Sequence, residues 1–164
     1  MSQYILLIIE DERSVLDALV RDLELFAERF RIEPAENVDD ARKVVQDHLA
    51  KGDEIALVLA DHLMPGTNGV DYLVELNHDP RTQPTRKVLV TAQAGLSDTI
   101  KAVNEADLHH YIAKPWTRQQ LHDVVRKQLT DYVIARGIDP LPFVQVLDRQ
   151  RLMQAVRDNP HQPE

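Results

Sequence analysis

Four positions far apart in the chain hold the side chains best suited to chemistry. Asp61 ends the apolar run Leu57-Val58-Leu59-Ala60, and the turn-forming stretch His62-Leu63-Met64-Pro65-Gly66-Thr67-Asn68-Gly69 follows at once. Glu10-Asp11-Glu12 follows the apolar run Ile5 to Ile9. Thr91 ends Val88-Leu89-Val90, and Lys114-Pro115 follows Tyr111-Ile112-Ala113. Each position lies at the C-terminal end of a run that reads as a strand buried on both faces. Open α/β sheets bind their ligands at that edge. Two carboxylate sites, a hydroxyl and an ammonium meeting there suit a divalent cation and a phosphoryl group. Mg²⁺ keeps several waters, so one or two carboxylates suffice to hold it. Phosphoryl transfer asks for positioning and charge neutralisation more than covalent help. Three acids alone would repel a phosphoryl dianion; a cation and Lys114 offset that repulsion.

Taken singly, these residues have plainer readings. Acids favour a helix N-terminus, so Glu10-Asp11-Glu12 could be a solvated turn. Asp61 could form a turn, Thr91 is an ordinary strand residue, Lys114 a surface lysine and Tyr111 a core aromatic. Their coincidence at four strand ends outweighs those readings. His62, beside Asp61, reads as an exposed loop residue rather than an acid–base group. His109 and His110 are adjacent in a strand, face opposite ways and cannot chelate one metal together. Trp116 reads as a packing residue at the rim.

The elements that must position these groups follow from periodicity. Gln3 to Ile9 reads as the first strand. Val15, Leu16, Leu19, Val20, Leu23, Phe26, Ala27 and Phe30 recur at helical spacing and predict one long amphipathic helix. Arg31 to Ala35 is a short strand. Asp39 or Asp40 stands near the start of a helix running to about Ala50, with Val44, Val45 and Leu49 inward and Gly52 as its stop. Ile55 to Asp61 is the third strand, and Val70, Leu73, Val74 and Leu76 mark a third helix. Pro80 and Pro84 break the chain before the strand Lys87 to Thr91. Ser97 is the expected cap of a helix reaching about Ala106. His109 to Ala113 is the fifth strand. Thr117 is the expected cap of a fifth helix with Leu121, Val124, Val125, Leu129 and Tyr132 inward, ended by Arg136-Gly137. Five strand–helix alternations predict a parallel sheet with helices on both faces and right-handed crossovers. All strand C-termini then share one edge.

The 164 residues favour one domain with room for an extension, here 1–136 followed by 137–164. In the extension, Phe143 to about Val156 reads as a further helix with Pro142 in its first turn, and Asn159 to Glu164 reads as disordered. A net charge of -8 argues against a nucleic-acid surface, and the five Arg from Arg118 to Arg151 are interspersed with acids. The absence of cysteine excludes disulfides and thiolate chemistry. Ile5 to Ile9 is too short for a signal-peptide core or a membrane span, which leaves a soluble cytoplasmic protein with no membrane contact as the expectation. No Gly-rich phosphate loop follows the first strand, which disfavours a nucleotide-binding enzyme.

Ile8-Ile9-Glu10-Asp11-Glu12, Leu59-Ala60-Asp61 with Met64-Pro65-Gly66 and Gly69, Val90-Thr91-Ala92, and Tyr111-Ile112-Ala113-Lys114-Pro115 together resemble a bacterial response-regulator receiver domain, over about residues 3 to 135. The resemblance implies a doubly wound α/β fold: a five-stranded parallel sheet of order 2-1-3-4-5 with five helices. It implies that Asp61 accepts a phosphoryl group from a histidine kinase or a histidine phosphotransfer protein. Asp11, Asp61 and the backbone carbonyl of Leu63 would hold Mg²⁺, with Glu10 acting through metal-bound water. Thr91 and Lys114 would engage phosphoryl oxygens, and Thr91 and Tyr111 would form the switch. In the family the bond before Pro115 is often cis. Such a chain catalyses only its own phosphorylation and dephosphorylation.

Three departures refine the expectation. Glu10 stands where the family often has Asp. Leu63 is apolar and Gln93 polar at the two positions that flank an attacking water. An apolar Leu63 cannot orient that water, so a long-lived phosphoaspartate is expected. Ala92 leaves the phosphoryl site open to a partner. The fifth strand leading into Lys114-Pro115-Trp116, with His109-His110 before its aromatic, resembles receivers joined to enzymatic outputs or hybrid kinases and points away from DNA. The face of the fourth helix, fifth strand and fifth helix is the family's usual contact surface. No recognisable effector domain follows residue 136, so the output partner is open; the extension could pair with a second copy, dock on its own receiver or begin a linker, and homodimer or other partner contact is the favoured expectation. Two other readings stay in play. One is a pseudo-receiver that binds partners without phosphate. The other is a Mg²⁺-dependent phosphatase with an aspartyl nucleophile, which usually needs an acid where Leu63 stands.

Overall fold

A computed structural model describes residues 2–92 and 95–158. Five strands, β1 (Tyr4–Ile9), β2 (Arg31–Ala35), β3 (Glu54–Ala60), β4 (Arg86–Thr91) and β5 (His110–Ala113), form one parallel sheet in the order β2-β1-β3-β4-β5. Helices α1 (Arg13–Asp22), α2 (Val38–Ala50), α3 (Gly69–His78), α4 (Leu96–Glu105) and α5 (Arg118–Ala135) alternate with the strands, and α6 (Arg149–Asp158) lies in the extension. The fold is the doubly wound α/β arrangement that the strand–helix alternation predicts.

The central strands are apolar throughout because both faces are covered. One face carries Leu6, Ile8, Leu57, Leu59, Val88, Val90 and Ile112 against α1 and α5. The other carries Ile5, Leu7, Ile9, Ile55, Val58, Ala60 and Leu89 against α2, α3 and α4. The β1–β3 register shifts between Ile5 and Leu6, so Ala56 and Leu57 join the same core. The extra residue there acts as a bulge.

Several expected boundaries differ, each for a local reason. The predicted long first helix is α1 followed by a 3₁₀ segment, Glu24–Glu28. Leu23 and Phe26 stand three residues apart, and a 3₁₀ turn eclipses such positions; both are buried, with Phe30 behind them. The cap of α2 is Asn37, whose side chain accepts from the Asp40 N–H at 2.8 Å, and Asp39 and Asp40 fall in the first turn. The N-cap of α4 is Gly95, so Ser97 lies inside the helix rather than capping it. Thr117 caps α5 as expected. The extension does not form one helix from Phe143. It makes a 3₁₀ turn at Leu141–Phe143, and α6 starts afresh after Asp148, whose carboxylate accepts from the Arg151 N–H at 3.2 Å. The expectations for Gln93 and for Asn159–Glu164 lie outside the described residues.

Phe143, Val146, Leu147 and Leu152 are buried in the core that α1 and α5 share. Phe143 stacks near Phe30 and Tyr4, and Arg29 Nε donates to the Pro142 carbonyl at 2.7 Å. The Thr130 hydroxyl, fully buried on α5, accepts from the Asp148 N–H at 3.1 Å. The extension's apolar face is thus used within its own chain.

Candidate functional site

Sheet register assembles the site. Ile9 pairs with Ala60, and the Asp61 N–H donates to the Ile9 carbonyl at 3.0 Å, which sets Asp61 beside Glu10. Thr91 pairs with Ala113, and the Lys114 N–H donates to the Thr91 carbonyl at 3.1 Å, which sets Lys114 beside Thr91. The peptide bond between Lys114 and Pro115 is cis. The turn after Asp61 is pinned by Gly69. A Cβ there would stand 2.0 Å from the Asp61 carbonyl oxygen, so no other residue allows α3 to approach so closely. Asn68 caps α3 by accepting from the Asp71 N–H at 2.8 Å.

The side chains converge as the register demands. One oxygen each from Glu10, Asp11 and Asp61 lies within 4.8 Å of the other two. Glu10 and Asp61 are buried, at 1% and 7% exposure, while Asp11 is exposed. The Lys114 ammonium is hydrogen-bonded to Glu10 Oε1 and lies 3.2 Å from Asp61 Oδ2. Burial pushes the Glu10 carboxyl above its ordinary value against the pull of the Lys114 bond. Burial works to lower the Lys114 ammonium, but the Glu10 bond and the Asp61 charge outweigh it and hold it above its usual value. Asp61 Oδ1 is buried and has no hydrogen-bond partner among the described residues. A buried carboxylate oxygen left so is costly unless something cationic or donating can reach it. That orphan, inside a three-carboxylate cluster, fits a hard divalent cation.

The remaining expected residues fall around this centre. Thr91 is buried at the end of β4. Leu63 lies two residues beyond Asp61 with 59% of its surface exposed. Tyr111 is half-buried and packs on the core of the α4 face. Trp116 packs at the rim, with its Nε1–H donating to Asp22 Oδ2 at 3.1 Å. Glu12 occupies the N-cap position of α1 but makes no side-chain cap bond, so the acidic trio is not a cap.

His62 is not the exposed loop residue expected. It is 4% exposed, and its Nε2–H donates to Asp98 Oδ2 at 3.1 Å. The Gly69 N–H holds the His62 carbonyl at 3.0 Å and the ring is tied to α4 through Asp98, contacts that no loop composition announces. A second buried group, His48 in the last turn of α2, bridges Asp53 and Glu33 at 2.7 Å each. The helical pattern of α2 shows only its apolar positions, so His48 escaped the sequence reading.

Residues 6–126 match the family described as the response regulator receiver domain. The chain is 33% identical over 125 residues to the hydrogenase transcriptional regulatory protein HoxA of Cupriavidus necator, covering 76% of this chain and 24% of that protein. It is 30% identical over 124 residues to the response regulator Rre1 of a Synechocystis strain, covering 76% of this chain and 51% of that protein. A solved CheY-like receiver domain from Methanospirillum hungatei superposes with a TM-score of 0.68 at 23% identity, covering 80% of this chain and 97% of that one. The chain therefore spans between a quarter and about half of the length of these curated relatives.

Proposed function

The chain belongs to the response regulator receiver domain family, and from that premise we propose that Asp61 is its phosphoacceptor. Receiver domains are not enzymes in the ordinary sense, and in this reading the chain catalyses only its own phosphorylation and dephosphorylation. An Asp61 carboxylate oxygen attacks the phosphorus carried on a histidine of a kinase or phosphotransfer partner. The O–P bond forms as the P–N bond breaks, and the histidine ring leaves with the electron pair and takes up a proton. Lys114, already within reach of Asp61, pairs with a phosphoryl oxygen, and the Thr91 hydroxyl engages another. Asp11, Asp61 and the Leu63 carbonyl would hold Mg²⁺, with Glu10 acting through its waters; the ion supplies charge neutralisation for the incoming dianion. The single observation that carries this reading is the buried Asp61 Oδ1, without a hydrogen-bond partner among the described residues, inside the Glu10–Asp11–Asp61 cluster.

The phosphorylated side chain carries about -1.5 to -2 charges in place of one. Thr91 and Lys114 are drawn toward it, Tyr111 follows, and the face of α4, β5 and α5 changes toward its partner. Residues 1–136 form the receiver unit, and residues 137–158 are its packed extension. We place the output outside this unit and assign the receiver no nucleic-acid contact: the whole chain carries a net charge of -8, and HoxA, named a transcriptional regulator, extends far beyond the matched segment. No helix among the described residues is long and apolar enough to cross a membrane.

Incubation with Mg²⁺ and a small phosphodonor tests the reading. Intact mass should rise by one phosphoryl group, with a change in Trp116 fluorescence. After donor removal the modification should persist for minutes or longer, because apolar Leu63 cannot orient an attacking water. A half-life of seconds would contradict the role given to Leu63; no response to metal or donor would favour the pseudo-receiver.

A further inference from the structure

His62 and Asp98 are chemically capable side chains that the phosphoacceptor reading leaves unused. His62 follows Asp61 directly and cannot drift. Its carbonyl accepts from the Gly69 N–H at 3.0 Å, and Gly69 leaves no space behind the Asp61–His62 backbone. The buried imidazole therefore has a fixed origin and reaches across to Asp98, in the first turn of α4, at 3.1 Å. The carboxylate of Asp98 is 46% exposed, so the bond is partly wet at one end and buried at the other. Further along α4, Ala102 and the C-cap Ala106 are fully buried, and Lys101 pairs with Asp71 on α3 at 2.7 Å. The helix is thus seated at its C-terminal half, while Asp98 holds its first turn to the loop that carries Asp61.

The first turn is also tied by chain connectivity to Thr91, since only three residues separate Thr91 from the N-cap Gly95. With so short a connection, movement of Thr91 toward a phosphoryl group on Asp61 would draw on Gly95 and so on Asp98. His62 is anchored separately, through its carbonyl to the Gly69 N–H. A hydrogen bond keeps its strength over only a few tenths of an ångström, and 3.1 Å is already toward the long end of the range.

We propose that His62 is a positioning residue: its bond to Asp98 latches the first turn of α4 in the resting state and is released when a phosphoryl group occupies Asp61. The proposal rests on Asp61 being the phosphoacceptor. A contact made only in the resting state opposes ligands of the other state by as much as it is worth. Removing one hydrogen bond of this kind corresponds to a three- to tenfold change, roughly.

The test is the affinity of the full chain for beryllofluoride with Mg²⁺, measured by titration calorimetry. Asp98→Ala should bind the phosphoryl mimic about three to ten times more tightly than the parent. Asp98→Asn, which retains an acceptor for the Nε2–H, should stay within about twofold of the parent. His62→Ala in the Asp98→Ala background should add nothing further. A residue that only supports the fold would loosen binding or leave it unchanged, and either result for Asp98→Ala overturns the latch. Equal tightening in Asp98→Asn and Asp98→Ala also overturns it, by assigning the effect to charge. If the parent itself fails to bind, the phosphoacceptor reading falls and takes the latch with it.

Discussion

At the scale of single residues, the site is a negative cluster with one internal counter-ion. Glu10, Asp11 and Asp61 bring three carboxylates within 4.8 Å, and the Lys114 ammonium lies on two of them. An ammonium so placed competes with any cation for the same oxygens. Unit charges a few ångströms apart interact by several kcal/mol even at an effective dielectric of about 20. Lys114→Met should therefore raise Mg²⁺ affinity on the order of tenfold while slowing phosphorylation from a small donor. Calorimetric titration with Mg²⁺ checks the first half; equal or weaker affinity would show that Lys114 does not compete for the site. These residues were legible in the sequence because strand ends are marked by where an apolar run stops. His62 was not legible, because its ring partner, Asp98, comes from α4, 36 positions further along the chain. His48 was hidden for a related reason: its partners, Glu33 and Asp53, come from β2 and the turn before β3.

At the scale of elements, the lower end of the β4–β5 pair carries a device unrelated to phosphate. The Lys87 N–H donates to His109 Nδ1 at 2.9 Å, which requires that nitrogen to be unprotonated. Burial, aided by the Arg86 and Lys87 charges, pushes the His109 imidazole down to about 4. A histidine depressed in the folded chain takes up its proton preferentially when unfolded. Its contribution to stability is intact above the unfolded value near 6.5 and is lost as pH falls from there toward 4. Between pH 7.5 and 5 the loss should be roughly 2 kcal/mol. Urea unfolding at both pH values checks this: His109→Gln should shrink the difference by about that amount, and an unchanged difference would contradict it. The five strands and the helices α2, α3 and α5 were readable from periodicity, because burial on one or both faces imposes it; α4 was placed only through Ser97 as its expected cap, and its N-cap is Gly95. The breaks within longer apolar patterns were not readable. The 3₁₀ segment after α1 and the restart at Asp148 keep apolar residues at helical spacing while the backbone leaves the α-helix.

At the scale of the whole molecule, the receiver and its extension share one core. Phe143, Val146, Leu147 and Leu152 each bury a large apolar side chain, a contribution of roughly 1.5–3 kcal/mol apiece before the cost of ordering the segment. Ending the chain after Gly137 would uncover Tyr4, Phe30 and the outer face of α5, where Thr130 would lose the Asp148 N–H. The shortened chain should unfold at a clearly lower urea concentration and bind an apolar dye; an unchanged midpoint without dye binding would show that the extension is only perched there. Sequence reading left this segment open between a second copy, its own receiver and a linker, and favoured a partner contact, because an amphipathic pattern does not say whose surface its apolar side meets; the packing selects its own receiver. The converse holds for the sheet edge, where chain order alone placed four distant residues together. The account as a whole stands on Asp61, and the most direct measurement is isotopic labelling from acetyl phosphate with Mg²⁺, parent against Asp61→Asn. The parent should take up one phosphoryl group per chain and the variant none; equal labelling of the two would contradict the account.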